Sequence, residues 1–326
     1  MSNDRSLLLD IRGLTVAFET DGGEVRAVQD VSFGIGRGEV VGLVGESGCG
    51  KSVTAMSIPR LIPSPPGRVL CGEIHFDGRD LLSLPVAEMR HIRGRDIGVI
   101  FQEPMTALSP LHRVGRQLVE AVRIHEECSK AEAWERGIVW LERVGIPDPA
   151  ERMHSYPFQL SGGMRQRVMT AMALILEPKF VIADEPTTAL DVTIQAQILE
   201  LMLEMCRGDT SLLLITHDMG VIWESCERVL VMYASRIVEE GGVKDLFERP
   251  LHPYTQGLLE SMPVLAGETD RLPCIKGQVP APDELPPGCN FAERCPHAQS
   301  ICREKEPPLA EFGERRSACF FSDRWV

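Results

Sequence analysis

The stretch Gly45-Glu46-Ser47-Gly48-Cys49-Gly50-Lys51-Ser52 constrains this chain more than any other. It follows a short apolar run, Val40 to Val44, and precedes a segment of helical pattern, so strand, glycine-rich loop and helix stand in the order of a phosphate-binding loop. Glycines let the backbone curl until successive N–H groups point inward, and the helix behind adds its N-terminal partial positive charge. Lys51 reaches the outer phosphates of a bound nucleotide, and the Ser52 hydroxyl can ligate Mg2+.

The 326 residues leave room for two domains, or for one large domain with an appendix. With 44% hydrophobic and 25% charged residues the composition suits a globular protein that buries a proper core. The longest apolar stretch, Ala171 to Ala183, is interrupted by Glu177-Pro178-Lys179, so no segment offers a membrane span. Met1-Ser2-Asn3-Asp4-Arg5 leads directly into a strand-like segment without the apolar core of a secretory signal, which implies a cytoplasmic protein. The formal net charge of −13 argues against broad binding to nucleic acid.

The loop has a β-rich entry. Leu7 to Phe18 reads as a strand, Gly22-Gly23 as a turn, and Val31 to Ile35 as a second strand before Gly36-Arg37-Gly38. Phe18, near the end of the first strand, reads either as core or as a face on which an adenine ring could stack. Ser52 to Ile62 has a helical pattern that Pro59 must kink or end. Glu73 to Phe76 and Ile97 to Phe101 read as strands, the second delivering Gln102 at its end. Leu111 to Glu126 and Ala131 to Val144 are amphipathic helical patterns, so a helical subdomain interrupts an α/β core.

Leu160-Ser161-Gly162-Gly163-Met164-Arg165-Gln166-Arg167 opens an apolar helix running to about Leu176, with Ser161 in the N-cap position. Its two glycines suit an ordinary capped helix or an anion contact. Phe180-Val181-Ile182-Ala183-Asp184-Glu185 is an apolar run ending in two carboxylates, as a buried parallel strand would. Successive residues leaving a strand point apart, so Asp184 can hold Mg2+ while Glu185 orients or deprotonates an attacking water. Ser211 to Ile215 is a further apolar strand, ending in Thr216-His217-Asp218. Ligands of open α/β sheets collect beyond the carboxyl ends of strands, where Gly45, Gln102, Asp184, Glu185 and His217 all fall.

With these residues in hand, about residues 7 to 245 resemble the ATP-binding subunit of an ABC transporter. Gly45 to Ser52 looks like its Walker A loop, Gln102 its Q-loop, Leu160 to Gln166 its signature, and Phe180 to Glu185 its Walker B strand. Ala189-Leu190-Asp191 resembles the D-loop, His217 the switch histidine, and Phe18 the adenine-stacking aromatic. Phe101-Gln102-Glu103-Pro104-Met105-Thr106-Ala107-Leu108-Ser109-Pro110 and Tyr156-Pro157-Phe158-Gln159 are similar to the dipeptide, oligopeptide and nickel importers of that family. His252-Pro253-Tyr254-Thr255 resembles the start of their C-terminal extension. Met164 and Cys49 depart from the commonest family residues, and neither removes a group the chemistry requires.

The resemblance implies a P-loop nucleotide-binding domain over residues 1–245, with a RecA-like core and a helical insertion at about 103–160, followed by an irregular extension over 246–326. It implies ATP held by Phe18, Gly45, Glu46, Ser47, Gly48, Cys49, Gly50, Lys51 and Ser52, and by Ser161, Gly162, Gly163 and Asp191 across a pair of subunits. Mg2+ would rest on Ser52, Gln102 and Asp184, with Glu185, His217 and Gln102 catalytic. Its implied partners are a second ATPase subunit, a homologue or an identical copy, two membrane permeases and an extracytoplasmic solute-binding protein. The implied location is peripheral, on the cytoplasmic face of the inner or plasma membrane, and the implied work is energising import of di- or oligopeptides. Nickel, an opine or an oligosaccharide is an alternative cargo; a non-transport ABC ATPase is the alternative machine.

Beyond Pro263 the chain is rich in Pro and Gly and has little periodicity, so something other than a core must fix it. Cys289, Cys295, Cys302 and Cys319, spaced C-x5-C-x6-C-x16-C, can supply that. Four thiolates suit Zn2+ or a [4Fe-4S] cluster, and the absence of short C-x2-C pairs disfavours a zinc ribbon. The resemblance points to [4Fe-4S]; four unligated buried cysteines are the other reading. Cys71, Cys128, Cys206, Cys226 and Cys274 are isolated and read as packing residues.

Overall fold

The computed structural model describes residues 7–103, 107–186, 192–206, 209–262 and 274–325. They form two compact units. One is built from Gly36–Val40 and Ser83–Ile215, the other from Leu7–Ile35, Val41–Leu82 and Thr216–Val326.

The first unit holds three parallel strands, Ile97–Ile100, Phe180–Asp184 and Ser211–Ile215, with the middle one paired on both sides. Phe180–Asp184 and Ser211–Ile215 are buried along their whole length, which is why they read as unbroken apolar runs rather than alternating ones. The helices Val114–Arg123, Lys130–Arg143 and Gly162–Leu174 lie in the same unit and bury Leu118, Val122, Trp140, Leu141 and Val168.

Helix ends follow their caps. Ser129 Oγ accepts the Glu132 N–H and the Glu132 carboxylate accepts the Ser129 N–H, a reciprocal box that starts the helix at Lys130. The preceding helix begins at Val114, three residues later than its pattern suggests. There the Gln117 amide ties down Ser109 and His112, and the Val114 and Gly115 N–H groups go to Ser155 and Met153 carbonyls. Polar contacts outside the helix thus outbid one more apolar turn.

The second unit contains two sheets. In one, Leu7–Thr20 lies between Gly23–Gly36 and Gly67–Phe76, with Arg79–Asp80 at the edge. In the other, Val40–Val44 runs parallel to Arg228–Tyr233, which is followed antiparallel by Arg236–Gly242. The helix after the phosphate loop is short, Lys51–Ser57, because Pro59 has no N–H to continue it and Arg60 turns at φ 55°.

The C-terminal segment is less irregular than its composition suggests. Arg315–Ser317 pairs antiparallel with Glu239 and Glu240, and Ala310–Phe312 adds a further strand outside it. Glu240, 7% exposed, accepts from both Arg228 and Arg316, so its charge is doubly compensated. An aromatic cluster joins the segment to the sheet: Phe291 stacks edge-on against Tyr233 at 5.2 Å and Tyr254 at 5.4 Å.

His252 lies beneath this cluster, 1% exposed, with Nδ1 accepting the Tyr254 N–H. Burial depresses its pKa from 6.5 to about 3. The unfolded chain therefore takes up a proton below pH 6.5 that the folded chain refuses until about 3, so His252 contributes stability above 6.5 that is lost as the pH falls. Glu239, buried beside it and pushed up to about 7 by desolvation, acts with the opposite sign. A His252→Phe variant keeps the ring and leaves Glu239 in place. Relative to that variant, the wild-type unfolding free energy from urea titration should fall on going from pH 6.5 to 5, with a slope approaching about 1.4 kcal/mol per pH unit.

Candidate functional site

In the second unit the buried strand Val40–Val44 runs out into Gly45, whose φ of 150° opens the phosphate-binding curl. A Cβ at Gly45 would lie 2.1 Å from the Met232 carbonyl oxygen, and one at Gly50 would lie 2.4 Å from that of Ala27. Glycine at both places is a steric requirement, set by backbone pressing on the loop from two sides. Lys51 is 7% exposed and folds over the curl, its ammonium donating to the Gly45 and Glu46 carbonyls at 2.8 and 3.0 Å. Ser52 is half-buried on the first turn.

Phe18 stands in register with Gly67, and a Cβ there would come within 2.9 Å of its ring. The half-buried ring thus lies across a strand neighbour that has no side chain. His217 is exposed and precedes Asp218, whose carboxylate caps the helix Met219–Ser225 by accepting the Gly220 and Val221 N–H groups.

In the first unit two of the expected residues meet. Gln102, after the strand Ile97–Ile100, donates from Nε2 to the Glu185 carboxylate at 3.0 Å. Asp184 and Glu185 part as their positions suggest: Asp184 is 4% exposed, while Glu185 turns at φ 46° and sends its N–H to the Ile215 carbonyl. The signature helix Gly162–Leu174 starts at an N-cap, with Ser161 Oγ accepting the Met164 N–H at 3.3 Å. Ser161 and Gly162 are exposed at that helix start. The buried Gln166 donates from Nε2 to the Pro186 carbonyl at 2.8 Å, tying this helix to the residue after Glu185. Ala189-Leu190-Asp191 lies outside the described residues.

Cys289, Cys295, Cys302 and Cys319 line one cavity together with His252 and Phe291. Burial pushes the Cys289 thiol up to about 11 and raises Cys295 and Cys319 as well, and the neighbouring thiols add to it. Opposing this, the Phe321 N–H donates to the Cys319 sulfur at 3.4 Å. Among the described residues, however, no group of three or more His, Cys, Asp or Glu side chains is placed to hold a metal ion. The expected zinc or cluster shell is therefore found as a shared cavity and not as a closed set of ligands. Cys71 and Cys274 are exposed, so the expectation that all the isolated cysteines serve packing fails for these two.

Three residues that sequence reasoning did not single out touch the phosphate loop. Tyr254 Oη accepts the Glu46 N–H at 2.9 Å, Arg294 clasps the Glu46 carboxylate, and the Ser235 N–H donates to the Cys49 carbonyl at 2.9 Å. Arg294 has no periodic or motif context, and only its place beside Cys295 draws the eye.

Residues 28–188 match the ABC transporter family model, and residues 238–302 match the model of the oligopeptide/dipeptide transporter C-terminal region. The chain is 50% identical over 317 residues to the oligopeptide transport ATP-binding protein AppD of Bacillus subtilis, covering 97% of both chains. To the dipeptide transport ATP-binding protein DppD of Haemophilus influenzae it is 49% identical, covering 96% of this chain and 94% of that one. Among solved structures, the ATP-binding cassette MJ0796, a dimer in a post-hydrolysis state bound to ADP and Pi, superposes with a TM-score of 0.66 at 26% identity, covering 72% of this chain and 98% of that one.

The steric reading of the loop is testable by comparing two alanines. Gly45→Ala should cost about 3 kcal/mol, because a carbonyl occupies the space and the conformation is also strained. Gly48→Ala, at φ 81° with nothing within 4 Å of the added carbon, should cost about 1 kcal/mol, the strain alone. Urea unfolding of both variants measures the difference.

Proposed function

Because this chain belongs to the ATP-binding subunits of peptide-type ABC transporters, we propose that it hydrolyses ATP to drive uptake of di- or oligopeptides through a pair of membrane permeases. The observation that carries the ATPase chemistry is the contact of Gln102 with Glu185: the residue that would sense the metal shell holds the carboxylate that would activate water. In this reading Gly45 to Ser52 bind the phosphates, Phe18 stacks on adenine, and Ser52, Gln102 and Asp184 take Mg2+. Glu185 polarises the attacking water and His217 contacts the γ-phosphate. The exposed Ser161 and Gly162 and the half-buried Gly163 face the nucleotide on a second ATPase subunit, with Asp191 at the same junction. That ordering of exposed N–H groups at a helix start suits an anion arriving from outside.

The chain works as a nucleotide-binding domain over 1–245 with a tail over 246–326, and docks from the cytoplasmic face on permeases supplied by a solute-binding protein. The second ATPase is a homologue with its own site or an identical copy. No helix among the described residues is long and apolar enough to cross a membrane, so the permeases must supply the path. The four cysteines hold a [4Fe-4S] cluster. Support comes from the donor set: four thiols line one cavity, and Cys319 accepts an N–H···S bond from Phe321. When bound, such a cluster supplies a structural cross-link.

Glu185→Gln should bind ATP normally and turn it over at least about 100-fold more slowly, as loss of a general base predicts; near-normal turnover removes Glu185 from that role. Affinity capture from gently solubilised native membranes should recover multi-span permeases, a second ATPase and a solute-binding protein, whose ligands then identify the cargo. Recovery of ribosomal or other soluble partners alone would overturn the transport reading. Anaerobically purified protein should carry iron and absorb visible light; colourless, iron-free protein would remove the cluster.

A further inference from the structure

The loop that would bind phosphate is held from outside by the tail. Glu46, its second residue, is gripped at both ends. Its N–H donates to Tyr254 Oη at 2.9 Å, and its carboxylate takes two bonds from the Arg294 guanidinium, at 2.5 and 2.9 Å. The Arg294 side chain is 6% exposed and also donates to Tyr233 Oη at 3.3 Å and to the Lys276 carbonyl at 3.0 Å. A paired, bidentate cation this deeply buried fixes geometry, since its planar fork admits few orientations.

A second tie reaches the other side of the curl. Asn290 donates to the Ala234 carbonyl at 2.8 Å, and the N–H of the next residue, Ser235, donates to the Cys49 carbonyl at 2.9 Å. Ala234 and Ser235 both take positive φ, 42° and 72°, so this turn is a strained one that needs holding. Asn290 and Arg294 lie just inside Cys289 and Cys295, so the segment lining the cysteine cavity also touches the loop at Glu46 directly and at Cys49 through two residues, Ala234 and Ser235.

We infer that the Cys289–Cys295 segment is a positioning clamp for the phosphate-binding loop, with Arg294 as its main contact, so that nucleotide affinity depends on the tail being seated. The inference rests on the reading of Gly45 to Ser52 as the nucleotide site. Arg294 touches no reacting atom; it acts through Glu46. Linkage makes the coupling reciprocal: if the seated tail favours nucleotide, bound nucleotide favours the seated tail to the same degree.

The test uses the full chain as purified, with binding of a fluorescent ATP analogue, steady-state ATPase and amide hydrogen exchange. Wild-type protein that binds no nucleotide would sink the functional reading itself. Given binding, Arg294→Ala should weaken affinity about 10-fold, with KM rising and kcat changing little. Arg294→Lys, which keeps the charge without the fork, should recover part of that loss. In the wild type, nucleotide should slow amide exchange across residues 289–295 while leaving the segment around the exposed Cys71 unaffected. In Arg294→Ala that protection should vanish. Unchanged affinity in Arg294→Ala, or protection that survives it, would overturn the clamp.

Discussion

The approach of the Met232 carbonyl to Gly45 governs much of what the second unit does. A loop that must present several N–H groups to one anion cannot hold that shape by its own bonds, because those groups are what it offers. Here the shape is imposed from outside. The end of the strand Arg228–Tyr233 presses on Gly45, and Ala27, from the N-terminal sheet, presses on Gly50. The strand Gly23–Gly36, before the loop in sequence, and the strand Arg228–Tyr233, far along the chain, are therefore parts of one mould. Lys51 donates its ammonium to the same loop's carbonyls, which keeps its charge within the curl.

The carboxylates of the first unit obey a different constraint. A buried strand that ends in two acids must separate them, or the second would share the desolvation of the first. The chain does this by turning Glu185 to φ 46°, an uncommon conformation for a residue with a side chain, held by its N–H on Ile215. Asp184 stays at the strand end, nearly inaccessible, and Glu185 emerges where Gln102 reaches it. Gln166 then donates to the Pro186 carbonyl, which ties the helix Gly162–Leu174 to the residue after Glu185. Strain at Glu185 thus separates two identical functional groups into a buried site and a reachable one.

How much of this was legible beforehand depended on whether local or distant contacts decided it. The buried parallel strands, the capped signature helix and the glycine loop were readable, because each is written in contiguous residues with one dominant physical requirement. Helix ends at Val114 and Ser57 shifted from their apolar patterns because Gln117 and Pro59 overrode them. The hairpin Ala310–Phe312 with Arg315–Ser317 was illegible, since three-residue strands of mixed polarity carry no alternation and form only against the edge at Glu239. Arg294 and Tyr254 were illegible as loop contacts for the same reason at longer range: 248 residues separate Glu46 from Arg294.

The tail's attachment and its cysteine chemistry are physically separable. What seats it is an apolar and aromatic cluster, Tyr233, Tyr254 and Phe291 with Leu246 and Leu259, together with the Glu240 charge network; none of these needs a metal. The Cys289, Cys295 and Cys319 thiols, by contrast, sit where burial raises their pKa, with Cys289 pushed up to about 11, and the Phe321 N–H donates to the Cys319 sulfur. The packing that seats the segment needs no metal, so its grip on Glu46 belongs to the polypeptide.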